Sequence, residues 1–301
     1  MFVIKYKKIW YSLSAILLAL SFYAIFVYGF KLSIDFTGGA ITEVHYDGGR
    51  PEKVSLEESI EALGLGGFSV LPLGEDAYVI RTRDLTGADR ENLETALGRV
   101  NSHFTIERQN TVGPIAGAEL QSKAMKAVAV VVLMIVIFIT FAFRGVSKPV
   151  ASWKYGLATV IALAHDVVIP TGIFIFLGHF YGVEMDLLFV SGLLAILGYS
   201  VHDSIVVFDR VRENLKLNLE HNSQEPFEEI VGKSVSQTFA RSINTSVTIF
   251  ITLFALYLVG PTATEHFALL LIIGVIVGTY SSIFVASPLL VTFYQFQKGS
   301  K

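Results

Sequence analysis

Leu187-Leu-Phe-Val-Ser-Gly-Leu-Leu-Ala-Ile-Leu-Gly-Tyr-Ser-Val-His-Asp-Ser-Ile-Val-Val-Phe208 is an apolar run of membrane-crossing length, interrupted by His202 and Asp203. A helix needs about 20 apolar residues to cross the hydrocarbon layer. An ionisable side chain inside such a helix costs roughly 2.5–3.5 kcal/mol on insertion scales and marks a pathway or a partner by default. The stretch therefore predicts a spanning helix and a functional acid together.

Five further runs of this kind are expected: Ile9–Phe30, Ala127–Phe143, about Trp153–Leu177, Ser242–Pro261 and about His266–Tyr294. The first follows Lys5, Lys7 and Lys8 and is too long for the apolar core of a cleaved signal, about 7–15 residues. It reads as an uncleaved anchor. The last is long enough to tilt or to emerge at Pro288. Of the 301 residues, 52% are hydrophobic, 16% are charged and none is cysteine. A soluble domain carries roughly 25% charged residues. Residues 31–121 hold 8 Lys/Arg and 15 Asp/Glu, so the rest of the chain is more apolar still. A water-soluble enzyme is excluded, as are thiolate chemistry, disulfides and Cys-bound metal. No basic nucleic-acid surface is present.

Lys and Arg near span ends set orientation. Lys5, Lys7 and Lys8, then Arg144, Lys148 and Lys154, then Arg210, Arg212, Lys216 and Lys233, then Lys298 and Lys301 share one side of a six-span chain. Gly178–Asp186 and Gly260–Glu265, on the other side, contain neither residue type. Both termini are expected to be cytoplasmic. The chain then divides into residues 1–30 (N-terminus and first span), an outer domain at 31–121, and 122–301 (spans two to six, with a cytoplasmic loop at about 210–235).

The outer domain reads as a strand at 40–46, a helix at Val54–Leu65 with Ser55 and Glu58 at capping-box spacing, and strands Phe68–Leu73 and Ala77–Thr82 joined at Gly74–Asp76. An amphipathic helix Ala88–Val100, with Leu93, Ala96, Leu97 and Val100 on one face, and a strand Phe104–Val112 complete it. The order βαββαβ is that of a ferredoxin-like α+β sandwich. The expected fold is a polytopic α-helical membrane protein carrying that one small domain outside.

Asp203 is the prime candidate. Asp209, about 9 Å further along at 1.5 Å per residue, sits with Arg210, Arg212 and Glu213 in a cluster at the helix end. On the fifth span Gln237, Arg241, Asn244, Thr245 and Thr248 recur at spacings of three and four, so they share one side of a helix; a bundle interior opposite Asp203 would satisfy them. Arg241 also reads as a snorkelling residue. His165 and Asp166 are adjacent and point about 100° apart, and His202 reads as a structural hydrogen-bonding neighbour of Asp203. The seven histidines show no metal-ligand spacing, and no nucleotide fingerprint occurs. Gly274, Gly278, Ser282 and Ala286 form a small-residue stripe for close helix packing, and Gly192, Ala195 and Gly198 thin one side of the fourth span.

Several of these stretches resemble the SecD/SecF family of protein-export membrane subunits, within the resistance-nodulation-division superfamily. They are Asp35-Phe-Thr-Gly-Gly39, Val112-Gly-Pro114 with Gly117, His165-Asp166, Gly198–Asn214, and Gln237-Thr with Arg241-Ser-Ile-Asn-Thr-Ser246. Where the family often has Asn before the membrane aspartate, this chain has His202. The resemblance implies the SecF half of a twelve-helix unit with SecD, in the bacterial plasma (inner) membrane. It implies use of the proton-motive force to assist late preprotein translocation through SecYEG, with the translocating preprotein and YajC as further partners and no cofactor. It places proton coupling on Asp203 and Arg241. The connectors Asp35, Gly38, Gly39, Gly113 and Pro114 would transmit motion, Gly38 and Gly39 by letting the chain turn and Pro114 by ending the last strand. The competing readings are a structural subunit without proton coupling, a small-molecule exporter of the same superfamily, and an intramembrane aspartyl protease built on Asp166 and Asp203.

Overall fold

The computed structural model describes residues 2–143 and 150–299. Arg144, Lys148 and Lys301, and the side chain of Lys298, lie outside the described residues. The chain divides into two compact units, one of residues 1–31 with 126–301 and one of residues 32–125.

The smaller unit begins with a short helix, α3 (Ile34–Thr37); α1 (Phe2–Lys5) and α2 (Lys7–Tyr28) precede it in the larger unit. Then follow β1 (Gly39–Tyr46), α4 (Lys53–Glu61), β2 (Ser69–Leu73), β3 (Ala77–Thr82), α5 (Gly87–Val100) and β4 (Phe104–Val112). The sheet order is β2-β3-β1-β4, and every pairing is antiparallel. This is the ferredoxin-like arrangement the element order predicts. Alternation along β1 turns Ala40, Thr42, Val44 and Tyr46 inward, where Leu56 and Ile60 of α4 and Leu93 and Leu97 of α5 complete an apolar core.

One local expectation is corrected. Ser55 lies inside α4, which starts after Glu52 without a side-chain cap. The capping box of this unit is Thr86 with Asp89, at the start of α5. Ser-x-x-Glu spacing recurs freely inside helices, and only a preceding extended residue makes it a cap.

Among the described residues, six helices are long and apolar enough to cross a membrane. They are α2, α6 (Pro114–Ala142), α7 (Ser152–Tyr181), α8 (Leu187–Glu220), α9 (Phe227–Val259) and a final span made of α10 (Thr262–Ser281), a π-helical turn (Ser282–Ala286) and α11 (Ser287–Gly299). The division between the units falls within α6. The final span stays helical past Pro288. Proline lacks the N–H of the regular ladder and its ring crowds the preceding turn, and the wider π turn lies immediately before it.

Segment 210–235, read from its charges as a loop, is a helical hairpin: α8 runs on to Glu220 and α9 begins at Phe227. Backbone hydrogen bonding is indifferent to hydropathy, and polar contacts hold the extensions together. Asn214 Nδ2 donates to Ser234 Oγ and to Gln237 Oε1, each over 2.8 Å. The connecting turn passes through Asn222 at φ +50°, a conformation asparagine tolerates better than most residues.

Candidate functional site

The small-residue stripe fixes where α10 can sit. A Cβ at Gly274 would collide with the side chain of Ile196, and one at Gly278 would come within 3.4 Å of Ser200 Cβ. The stripe therefore lets α10 lie close on α8. One turn further on, Ser282 reaches Asp203 and Ala286 is fully buried. On α8, Gly192 contributes to the same contact, since a Cβ there would approach Leu270 Cδ2 to 2.6 Å. Gly198 has nothing within 4 Å and, with Ala195, faces outward.

This close approach buries Asp203, which is 5% exposed. Ser242 Oγ of α9 donates to its Oδ1 over 2.6 Å, and Ser282 Oγ donates to its Oδ2. Beside it Tyr199, Ser246 and Thr279 form a triangle of hydroxyls from α8, α9 and α10, with separations of 2.5, 3.1 and 2.6 Å. Asp203 is thus held by neutral donors from two other helices. A second carboxylate is treated the same way. Asp166 is fully buried and 2.8 Å from His165 Nδ1, and it accepts from Ser200 and Ser281. Neighbours at 100° on a helix can share a hydrogen bond when the flexible imidazole folds back, as here.

The stripe on α9 lies elsewhere. Arg241, Asn244, Thr245 and Thr248 are exposed in the single chain, and the expectation that they face Asp203 is corrected. Ser242 and Ser246 occupy that side, and one residue of offset rotates the stripe by about 100°. Arg241 makes no ion pair with Asp203. Gln237 belongs to the hairpin, where its Oε1 accepts from Arg210 Nε over 2.7 Å as well as from Asn214. His202 is exposed on α8, and Asp209 pairs with Arg212 at 3.1 Å on the surface. Among the described residues no group of three or more His, Asp or Glu could hold a metal ion. The serines Ser200, Ser242 and Ser281 were not singled out from sequence, although serine spaced three or four residues from an acid or another hydroxyl inside an apolar span is a readable signal.

The glycine motifs of the smaller unit lock its start to its end. Gly38 has φ +73° and Gly39 φ +130°. A Cβ at Gly38 would come within 2.8 Å of Pro114 Cα, and one at Gly117 within 2.9 Å of Gly38 N. Backbone therefore lies on backbone where residues 35–39 and 112–117 meet, which is why both stretches are rich in glycine. Asp35 stands in the first turn of α3, its N–H donating to the Ser33 hydroxyl that caps it. Gly113 links β4 to α6.

The class so defined is a polytopic helical membrane protein with ionisable groups inside its bundle, a placement that by default marks a functional site. Residues 92–296 match the family described as protein export membrane protein SecD/SecF, C-terminal, and residues 23–49 match the SecD/SecF GG motif. The protein translocase subunit SecF of Thermobaculum terrenum is 37% identical over 97% of this chain and 93% of its own length. The protein translocase subunit SecDF of Thermus thermophilus is 34% identical over 95% of this chain and 37% of its own. A crystal structure of SecDF, a translocon-associated membrane protein from that organism, superposes with a TM-score of 0.83 at 32% identity. It covers 97% of this chain, which spans 38% of that longer one. The chain belongs to the SecD/SecF family and has that family's role in protein translocation.

Proposed function

We propose that this chain acts as the SecF half of a proton-driven export unit, joining a SecD subunit to assist late stages of preprotein movement through SecYEG. The observation that supports this reading most is Asp203, a carboxylate buried in the middle of a spanning helix and held by two serine hydroxyls, with no ion-pair partner among the described residues. A guanidinium brought close to a carboxylate favours its charged form. Protonation from one side of the membrane and release to the other then alternates two states of the bundle. The potential contributes about 2.3 kcal/mol per charge per 100 mV.

Arg241 supplies that guanidinium from the exposed face of α9, which the SecD subunit covers in the assembled unit. His202, on the uncovered side of α8, meets the same partner. Motion reaches the α+β unit through the interlocked connectors Gly38, Gly39 and Pro114. In this reading both termini are cytoplasmic and residues 31–121 lie outside, so Asn92→Cys and Asn222→Cys are labelled from opposite sides by an impermeant thiol reagent.

The deciding experiment measures gradient-stimulated preprotein release from vesicles holding equal amounts of assembled complex. Asp203→Asn nearly preserves side-chain volume, so assembly persists and the stimulation is lost. Arg241→Lys keeps the charge without the forked donors and loses part of the stimulation; Arg241→Met loses more. Full stimulation with Asp203→Asn at normal assembly refutes the reading.

A further inference from the structure

Asp203 accounts for one buried carboxylate; the other has a setting of its own. Asp166 is 0% exposed and His165 2%. The carboxylate takes the imidazole Nδ1 at 2.8 Å, Ser281 Oγ at 2.6 Å and Ser200 Oγ. With Nδ1–H directed at Asp166, the other ring nitrogen, Nε2, is buried without a partner. The titratable groups around the pair are few. From α10, the Tyr280 ring stacks on His165 at 5.9 Å, its hydroxyl bonded to Ser14 of α2 and to the Trp10 carbonyl. From α8 comes Asp203, one turn beyond Ser200. Among the described residues no lysine or arginine from these helices, or from α11, pairs with His165 or Asp166. Ionised Asp166 beside neutral His165 therefore leaves a net negative charge in the bundle core, a costly state. One added proton makes the pair neutral, and Nε2 is open to receive it.

The two carboxylates also share a support. Ser281 donates to Asp166 and Ser282, the next residue, donates to Asp203. Both stand where α10 passes into the π turn, and Ser287 Oγ donates to the Ser282 carbonyl over 2.9 Å across its width. Each serine has an alternative acceptor within reach, Gly278 O for Ser281 and Thr279 O for Ser282, both at 3.1 Å. A carboxylate that gains a proton needs fewer donors, and its serine can turn back to the helix. Single π turns inside α-helices recur at functional sites.

We propose that His165 and Asp166 form a second proton-holding site of the bundle, taking one proton, and that Ser281 and Ser282 at the π turn couple its state to that of Asp203. A proton arriving at His165 Nε2 gives an imidazolium. Its Nδ1 proton passes to Asp166 Oδ1, leaving a neutral acid beside a neutral Nε2–H imidazole. One proton enters, one N–H bond forms at Nε2, and the Nδ1–H bond is exchanged for an O–H bond. The use of this site in transport rests on the role proposed for Asp203; its uptake of a proton does not.

The test is infrared difference spectroscopy of the full chain in lipid nanodiscs, titrated across pH. One titrating carboxyl signal is expected to vanish in Asp166→Asn and in His165→Gln, yet to persist in Asp203→Asn. Asp166→Asn and Ser281→Ala are each expected to move the midpoint of the Asp203 signal, the first by about one pH unit, the scale at which titrations count as coupled. His165→Gln retains a donor to Asp166, so it separates loss of the proton site from loss of fold. An Asp166 signal that stays ionised at every pH, or an Asp203 midpoint unmoved by both variants, overturns the proposal. Failure of the transport reading appears separately, as gradient-stimulated release that survives Asp203→Asn.

Discussion

The α+β unit and the helical bundle are held together by different interactions. In the sandwich the buried set is almost wholly apolar: Val44, Leu56, Ile60, Ile80, Leu93 and Leu97 are all 0% exposed. Water is the alternative environment for these side chains, so area burial drives their packing. In the bundle the alternative is lipid, as apolar as the interior, and association relies on close packing and interhelical hydrogen bonds. The buried residues there include Asp166, Asp203 and the serines at 200, 242, 281, 282 and 287. Burial is also uneven across the bundle. The apolar windows of α7, α8 and the final span are 56%, 50% and 67% buried, against 17%, 6% and 11% for α2, α6 and α9. The three inner spans carry the acids, and the outer three present broad uncovered faces.

That contrast predicts unequal costs for deletions in the two cores. Leu93→Ala removes apolar volume from the sandwich centre and is expected to cost about 2–5 kcal/mol, read as lost hydrogen-exchange protection across β1 and α5. Ser242→Ala removes almost no volume but takes one of two donors from Asp203, for about 1–3 kcal/mol. Its loss of protection is expected on α8 and α9, with β1 unchanged. A larger cost for Ser242→Ala than for Leu93→Ala would break the comparison.

Smaller effects sharpen it. Thr86→Ala is expected to cost about 1 kcal/mol, the usual worth of an N-cap. Hydrogen bonds from the Thr86 backbone and side chain hold the Asp89 carboxyl below its ordinary value, with Arg83 adding to them. Because that value is depressed on folding, the cap's contribution is complete above the ordinary carboxylate range and fades as pH falls through it. Fraying of α5 on acidification, absent in Asp89→Asn, is the measurable sign.

The smallest effect has the opposite direction. Tyr46 is fully buried and its hydroxyl lacks a partner. Burial, reinforced by Tyr78, pushes the phenol up to about 12. A group raised on folding contributes stability below its unfolded value, near pH 10, and loses it as pH rises toward 12. Tyr46→Phe is expected to be neutral or stabilising by up to about 1 kcal/mol at neutral pH and to flatten the alkaline loss. Exchange protection of β1 amides against pH checks both.

Periodicity and span length, both local properties, are written in the sequence. Six spanning helices, the strands Ala77–Thr82 and Phe104–Val112, and the inward face of α5 follow from them. The glycines at 38 and 39 announced a sharp turn because only that residue type adopts such backbone at no steric cost. Asp203 stood out because a charge in an apolar run is expensive wherever it points. Which helix faces which was decided only by tertiary structure. The stripe through Arg241 and the serines at 242 and 246 lie on one helix, and their spacings alone do not say which of the two sides meets Asp203. The approach of α10 to α8 at Gly274 and Gly278 settled that in favour of the serines. The same approach set Ser281 and Ser282 against different acids, where α10 gives way to a π turn. A π turn follows from how a whole helix meets its neighbours, and no short sequence pattern encodes it. The hairpin of α8 and α9 escaped the sequence for a related reason. Hydropathy marks where a helix leaves the membrane, whereas side-chain hydrogen bonds such as Asn214 to Ser234 decide where it ends.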